Sequence, residues 1–199
     1  MTLFRLLILL PVALLALISS TGCDGCNEEP ASQPAWRVEG QRAPYALTFP
    51  AAWIAEPPQS INPHAEVAAS LDDTLFLMVI PQKLPTFPTP DVHQLQRLGM
   101  ETLDRSVDNL IIDRQSPIRL GGAEGLSVIA RGELNGDPVR YINAYLVHQG
   151  FGYQIIAFAG DEHSEALIAQ VDLILASWEN LAPPAAEQPA AEPPAAASP

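Results

Sequence analysis

The fold prediction depends mainly on residues 126–148, LSVIARGELNGDPVRYINAYLVH. Its centre, Asn135-Gly136-Asp137, is a hairpin-turn signal between two runs of strand-forming residues. In the second run both alternating faces are largely apolar, with Tyr141, Tyr145 and Val147 on one side and Ile142, Ala144 and Leu146 on the other. A sheet that is apolar on both faces needs cover on both sides. The stretch therefore predicts a central sheet between two further layers.

The flanking sequence supplies more strands. Alternation or a short apolar run predicts strands at Tyr45–Phe49, Ala65–Leu71, Thr74–Ile80, Leu110–Asp113, Pro117–Leu120 and Phe151–Ala159. Asp72-Asp73 and Gly121-Gly122 read as turns between neighbouring strands. Short connections of this kind favour antiparallel pairing.

Two helices are predicted to cover this sheet. Thr89 is the expected N-cap of the first, with Pro90 at the first helical position and Asp91 in the first turn. Its apolar face comprises Val92, Leu95, Gly99, Leu103, Val107 and Leu110. The second begins near Asp161 or Glu162 and carries the stripe Leu167, Ile168, Val171, Ile174, Leu175 and Trp178. The expected fold class is α+β, an α/β/α sandwich around a mainly antiparallel sheet.

The N-terminal segment predicts export. Arg5 precedes an apolar run, Leu6–Ile18, which at about 1.5 Å per residue is too short to span a bilayer core. Ser20-Thr21-Gly22-Cys23 then resembles the lipobox of bacterial lipoproteins, in which Cys23 would carry the lipid after removal of residues 1–22. This resemblance implies a lipid-anchored protein of the bacterial cell envelope, facing the periplasm or the exterior. An ordinary secretory signal is the alternative.

The residues after the lipobox leave two questions open. Asp24 resembles the enterobacterial signal that retains lipoproteins in the inner membrane, so the choice between inner and outer membrane depends on the organism. Cys23 and Cys26 have C-x-x-C spacing, but they lie in a polar segment and not at the strand-to-helix junction of a redox motif. Cys26 is expected to be a spare thiol or a minor modification site.

The composition of the chain after the signal segment changes twice, which divides it into three parts. Residues 23–36 are polar and read as a tether. Residues 37–181 are long enough for one hydrophobic core. Residues 182–199 consist of Ala, Pro, Glu, Gln and Ser, which cannot bury enough surface to fold, so a disordered tail is predicted.

The segment YALTFPAAW, residues 45–53, resembles the opening of PsbP-like domains. The following hairpin, a mid-chain helix, a meander after Gly121–Gly125 and a terminal helix ending at Ser177-Trp178 are similar throughout residues 37–181. PsbP, the Ran-binding Mog protein and DcrB-like lipoproteins share this fold. The family contains binding and assembly factors, so the resemblance implies a fold and transfers no catalytic residue.

Candidate chemistry is sparse. His64-Ala65-Glu66 matches half of a zinc-deaminase motif, but no P-C-x-x-C follows it. Ser127 lacks the second glycine of a nucleophile elbow. Asp161-Glu162-His163 is interpreted as the acidic start of a helix, and the acids Glu101, Asp104 and Asp108 as a solvated flank. We therefore predict no catalytic residue, no metal site and no cofactor.

The negative net charge of the chain disfavours some classes of binding partner. The chain has a net charge of -13. Residues 37–181 carry 18 acidic against 9 basic side chains, which disfavours binding to nucleic acid or to anionic lipid surfaces. The main functional hypothesis is a non-catalytic envelope module that binds a protein with a basic patch or helps to assemble a complex. The alternatives are a small-ligand or divalent-cation binding protein, and an enzyme without a recognisable motif.

Overall fold

The structure is a computed structural model that describes residues 34–182. The predictions for the signal peptide, for Cys23 and Cys26 and for residues 183–199 lie outside the described residues. The described elements, in chain order, are β1 (Trp36–Glu39), β2 (Tyr45–Phe49), β3 (Ile54–Ala55), α1 (Pro58–Ile61), β4 (Val67–Leu71), β5 (Leu75–Lys83), α2 (Val92–Asp104), β6 (Asp108–Leu120), β7 (Ala123–Leu134), β8 (Asp137–His148), β9 (Phe151–Gly160), a 3-10 turn (Asp161–His163), α3 (Ser164–Ala176) and β10 (Glu179–Asn180).

A seven-stranded antiparallel sheet in the order β3-β4-β5-β9-β8-β7-β6 forms the centre. The predicted hairpin joins β7 to β8, and Leu134 pairs with Asp137 across its two-residue turn. Asn135 and Gly136 both have positive φ, 56° and 90°, as a turn of this hand requires. The α+β class and the antiparallel sheet are confirmed.

One face of the sheet is covered by a helix and a second sheet. Here α3 packs beside a second, three-stranded sheet in the order β1-β2-β10, and both contact the main sheet through one large core. Trp53, from the segment that resembles PsbP-like domains, is 2% exposed, and its indole N–H donates to Gln170 of α3 at 3.1 Å. This segment therefore fixes α3 against the small sheet.

The opposite face carries a single helix. α2 packs on β7, β8 and β9, with Leu95 and Met100 buried against Val128 and Tyr145. The strands on the far side of the sheet, β4 and β5, have no helix of comparable length above them on this face. The two layers are therefore unequal.

Several boundaries differ from the predictions. Asp91, and not Thr89, caps α2: its carboxylate accepts the Gln94 N–H at 2.8 Å, and Gln94 Oε1 accepts the Asp91 N–H at 3.1 Å. The two predicted strands at 110–120 form one strand, β6, and its ladder with β7 contains two register shifts near its start. The small sheet was not predicted, since β1 and β10 have only four and two residues. Trp36, assigned to the tether, begins β1.

The predicted apolar faces of both helices included residues that lie beyond the ends of the helices. α2 ends at Asp104, so Val107 and Leu110 belong to the connection and to β6. α3 ends at Ala176, and Trp178 lies beyond its C-cap residue, Ser177. The remaining stripe is confirmed, with Leu167, Val171, Ile174 and Leu175 buried.

Candidate functional site

A groove lies on the face of the main sheet that α2 covers only in part. We call it the sheet groove; its volume is about 600 Å³. The floor consists of Met78, Ile80, Tyr141, Ile156 and Phe158. One wall is α2, through Gly99, Thr102, Leu103 and Ser106, and the other comprises Arg42, Ile61, Asn62 and His64. Apolar floors with polar rims of this volume are typical of binding sites.

The groove exists because the sheet has apolar side chains that no element covers. Ile80, Ile156 and Phe158 point to this face, and each is only half-buried. On the opposite face their sequence neighbours Val79, Ile155 and Ala157 are buried in the main core. A groove of this kind is therefore a consequence of two-faced apolar strands beneath a single short helix.

An aromatic row crosses the end of the groove floor. Phe76, Phe158 and Tyr141 are direct cross-strand neighbours on β5, β9 and β8. The rings of Phe76 and Phe158 stack with centroids 5.2 Å apart, and those of Phe158 and Tyr141 lie 5.9 Å apart. Cross-strand aromatic pairs stabilise a sheet. Tyr141 is 5% exposed, so only the half-buried rings of Phe76 and Phe158 present apolar surface to a ligand.

Polar groups lie where α2 crosses the sheet. Gln154 Nε2 donates to Asn143 Oδ1 at 3.3 Å and lies 3.5 Å from the Tyr145 hydroxyl. Asn143 is fully buried, and its Nδ2 has no hydrogen-bond partner among the described residues. Burial raises the pKa of Tyr145, so this phenol stays protonated at ordinary pH. Gly99 lets α2 approach this pair, because a Cβ there would lie 2.5 Å from Tyr145 Cε1.

Arg42 gives one end of the groove a positive charge, and His64 lies beside it. Arg42 Nη2 donates to the His64 carbonyl at 2.8 Å, and the His64 N–H donates to Asn62 Oδ1 at 2.8 Å. The Arg42 side chain is 51% exposed, with its Nε 3.8 Å from Glu66 Oε1. Hydrogen bonds thus hold Arg42, His64 and Asn62 together at the rim, and the Arg42 guanidinium remains accessible to solvent.

Behind this rim lies a buried acid. The Glu66 side chain is 6% exposed, and its Oε1 accepts the backbone N–H groups of Gln41, at 2.6 Å, and Arg42. Its Oε2 and the hydroxyls of Tyr45 and Tyr153 have no hydrogen-bond partner among the described residues. Burial, together with the Glu66 charge, raises the pKa of Tyr153 to about 12 and raises that of Tyr45 further. Glu66 therefore fixes the turn that carries Arg42.

A second depression, of about 440 Å³, adjoins the far end of the groove and shares Leu134 and Phe158 with it. Its rim carries Asp73, Asp137 and Glu162. The complete surface therefore has an apolar middle, a cationic end and an acidic end. A further depression of about 600 Å³ lies between α2 and β6 and is more open to solvent.

No protein-family model and no curated protein matches the chain. Among solved structures, cyanobacterial PsbP (CyanoP) from Synechocystis sp. PCC 6803 matches with a TM-score of 0.60 at 12% identity, covering 79% of this chain and 98% of that one. LpqN of Mycobacterium tuberculosis gives 0.58 at 16% identity, with coverage of 76% and 88%. The Saccharomyces cerevisiae Ran-binding protein Mog1p gives 0.52 at 10% identity, with coverage of 75% and 96%.

The domain has the PsbP-like fold. The resemblance read from residues 45–53 is thereby confirmed at the level of architecture, and identities this low establish the fold alone. The strand order, the small second sheet and the half-covered face described above are features of this PsbP-like domain.

The sequence-predicted motifs of the PsbP-like domain do not combine into one site. His64 is exposed on the groove rim, whereas Glu66 points inward, so the two cannot share a metal ion. Asp161 pairs with Arg140 at 3.0 Å, and Glu162 Oε1 lies 3.7 Å from His163 Nε2. Within residues 34–182 no group of three or more His, Cys, Asp or Glu side chains is placed to hold a metal ion.

Sequence reasoning missed the groove itself. The signal was present in β5 and β9, where Phe76, Met78, Ile80, Ile156 and Phe158 make a second apolar face. The two predicted helices do lie on opposite faces of the sheet, but the small sheet joins α3 on one side, so α2 alone covers only part of the other. No described helix is long and apolar enough to cross a membrane.

Proposed function

We propose that this protein is a lipid-anchored, extracytoplasmic binding or assembly-accessory module of the bacterial cell envelope, and that the sheet groove receives a partner protein. The observation that carries the proposal is the apolar, half-covered face of the sheet between a cationic and an acidic end. A domain of this size normally buries an apolar sheet face. Contiguous apolar patches that stay exposed mark interaction sites.

The anchor and the envelope location rest on Cys23. Lipidation there would keep the PsbP-like domain near a membrane without a spanning helix. The LpqN structure is described as involved in cell envelope biogenesis, which makes an envelope role for this fold reasonable. The net negative charge of residues 37–181 favours approach through the lipid and not through attraction to anionic headgroups.

The proposal describes a non-catalytic protein. Among the hydrogen bonds of the described residues, Ser70 Oγ donates to Glu56 Oε1 at 2.6 Å, which is a nucleophile–acid contact in form. Ser70 is 1% exposed, so no substrate reaches its hydroxyl. The contact holds the segment before α1 to β4, and its role is structural.

The partner is expected to carry basic side chains. Asp73 and Asp137 at the acidic end make no salt bridge with any described residue, so they are available to a cation. Asp113 and Asp161, in contrast, are already paired with Arg140. Charge complementarity of this kind raises the rate of association and weakens as salt rises.

The test is site-specific photo-cross-linking in intact membranes. A benzophenone amino acid at Gln82 or Thr102 on the groove rim should give a discrete protein adduct, and one at Asp172 on the exposed face of α3 should not. The yield at Thr102 should fall as salt is raised between about 50 and 500 mM. Equal adducts at all three positions, or none, would reject the groove as a protein-binding surface.

A small ligand is the second candidate. A volume of about 600 Å³ lies within the range of ordinary ligand pockets. Native mass spectrometry of the protein extracted in mild detergent would detect a retained small molecule. Its loss on Phe158→Ser, together with the absence of protein adducts, would favour this alternative.

A further inference from the structure

We propose that the outer face of α2 is a homodimer interface, at which α2 of a second copy of this chain packs antiparallel across a two-fold axis. The inference does not depend on the proposed function, because the sheet groove lies along the other flank of α2, at Gly99 and Thr102. A dimer of this kind leaves both grooves open to a partner.

Four polar side chains form a stripe along α2. His93, Arg97, Glu101 and Asp104 are all exposed, and at 3.6 residues per turn they fall within about 80° of the helix circumference. From the N-terminal end, two side chains that donate hydrogen bonds, His93 and Arg97, are followed by two carboxylates, Glu101 and Asp104. We call these four residues the α2 stripe.

The α2 stripe is complementary to itself. A two-fold axis at the level of Gly99 places Arg97 and Glu101 about 3 Å to either side of it along the helix, so each Arg97 faces Glu101 of the second copy. His93 and Asp104 lie about 9 Å and about 7.5 Å from the same level, and they face each other in the same way. A two-fold interface brings one surface of a chain against the same surface of its copy, so it requires complementarity of this kind.

The charges of the α2 stripe have no partners within the described part of the chain. Arg97 and Glu101 are one helical turn apart, a spacing that permits an ion pair, but neither makes a salt bridge with any described residue. Asp104 makes none there either. The three charged groups are therefore available to a second copy.

Apolar side chains flank the stripe. On one flank Leu98 is 53% exposed, and because it lies one residue from the level of the axis, the two copies of Leu98 come together near it. On the other flank, the depression between α2 and β6 is lined by Met100, Leu110 and Ile112, and Ile112 is 51% exposed. Removal of this apolar surface from water supplies favourable free energy that exposed ion pairs alone do not.

The overall charge makes the pairing at the stripe decisive. Residues 37–181 have a net negative charge, which opposes the approach of two copies at long range. Opposite charges must therefore meet at the interface itself. Because every contact across a two-fold axis occurs twice, reversal of one charge on the stripe creates two pairs of like charges.

The experiment exchanges charges in the full chain and measures dimerisation by native mass spectrometry after extraction in mild detergent. We expect the wild-type chain to dimerise, and Arg97→Glu or Glu101→Arg alone to raise the dissociation constant about tenfold or more, because each replaces two ion pairs by two repulsive contacts. The double variant, Arg97→Glu with Glu101→Arg, restores both pairs and should dimerise like the wild type. Arg119→Glu and Glu165→Arg make the same changes of charge away from α2, and these matched controls should dimerise normally.

A mixture of the two single variants gives the sharpest result. One variant carries only acids at positions 97 and 101 and the other only guanidinium groups, so the mixture should form dimers that contain one chain of each kind, identified by mass. This outcome also shows that both variants are folded. A monomeric wild-type chain, dimers that are indifferent to the exchange, or a mixture that forms no mixed dimers would overturn the interface. A partner adduct at Thr102 would survive that failure, so the two proposals fail separately.

Discussion

At the scale of single residues, Trp178 joins three parts of the fold. Its ring stacks on Tyr45 of β2 with centroids 4.9 Å apart, and it meets the edge of Tyr153 of β9 at 5.2 Å. Its indole N–H donates to Asn180 Oδ1 at 2.9 Å. The small sheet, the main sheet and the end of α3 therefore meet at one side chain.

Trp178→Ala is expected to be severely destabilising. Truncation of a buried Trp typically lowers the free energy of unfolding by about 3–5 kcal/mol, and Trp178 is 3% exposed. Urea denaturation followed by circular dichroism measures the loss. Leu173→Ala, at a side chain that is 60% exposed on α3, is the control and should change little. A loss below about 1 kcal/mol at Trp178 would contradict this packing.

Cys23→Ala should release the protein from membranes or leave it unprocessed. The lipobox-like Ser20-Thr21-Gly22-Cys23 predicts a lipid on this sulfur. Fractionation and the mass of the mature N-terminus measure the outcome, and Cys26→Ala is the matched control. Normal processing and membrane attachment of the Cys23 variant would reject lipidation at this residue.

The buried tyrosines predict alkaline instability. Burial, with the Glu66 charge, raises the pKa of Tyr153 to about 12, whereas an unfolded tyrosine ionises near 10. The unfolded chain therefore loses its proton first, so stability is complete below about pH 10 and falls as the pH rises toward 12. Tyr153→Phe should reduce the slope of unfolding free energy against pH in this window by about 1.4 kcal/mol per unit. An unchanged slope would show that Tyr153 does not ionise on unfolding.

At the scale of elements, a strand or helix could be predicted from the sequence only where its pattern of residue types is long enough to recognise. The β7–β8 hairpin was predictable because both strands are long runs of strand-forming residues and Asn135-Gly136 permits positive φ at two successive residues. β1, β3 and β10 have too few residues to carry any period, so only tertiary contacts define them. The cap of α2 was misplaced because Thr89, Pro90 and Asp91 are all good start signals, and only the side-chain geometry of Gln94 selects Asp91.

The sheet groove could not be predicted from the sequence for a related reason. Periodicity shows that Ile80 and Ile156 have an apolar face, but it does not show which layer covers that face. The distribution of α3 and the small sheet onto one side depends on long-range packing around Tyr45 and Trp178.

Gly99→Ala tests how closely α2 approaches the sheet. Alanine favours a helix over glycine by up to about 1 kcal/mol, but the new Cβ would lie 2.5 Å from Tyr145 Cε1 and 2.7 Å from its hydroxyl oxygen. Overpacking of a buried site costs about 1–3 kcal/mol, so we expect a net loss of stability. Thr102→Ala, exposed on the same helix, should change it by less than about 0.5 kcal/mol. A stabilised Gly99 variant would mean that α2 lies further from β8.

At the scale of the whole molecule, the cores of the described domain are built from residues between Trp36 and Trp178. The tail, 182–199, consists of Ala, Pro, Glu, Gln and Ser, which bury little apolar surface. Removal of residues 182–199 should therefore lower the melting temperature by less than about 4 °C, the shift that corresponds to roughly 1 kcal/mol in a domain of this size. A larger shift, measured by calorimetry on the full and shortened chains, would show that the tail is part of the fold.

The order β1-β2-β10 has a mechanical consequence. β1 begins opposite Phe49, at one end of β2, whereas β10 ends opposite Tyr45, at the other end. Tension between an anchor before Trp36 and a load after Asn180 would pull the two outer strands in opposite directions along β2. The ladder hydrogen bonds would then share the force in shear and would not open one at a time. The smaller of the two described sheets is thus arranged to withstand pulling between its two ends.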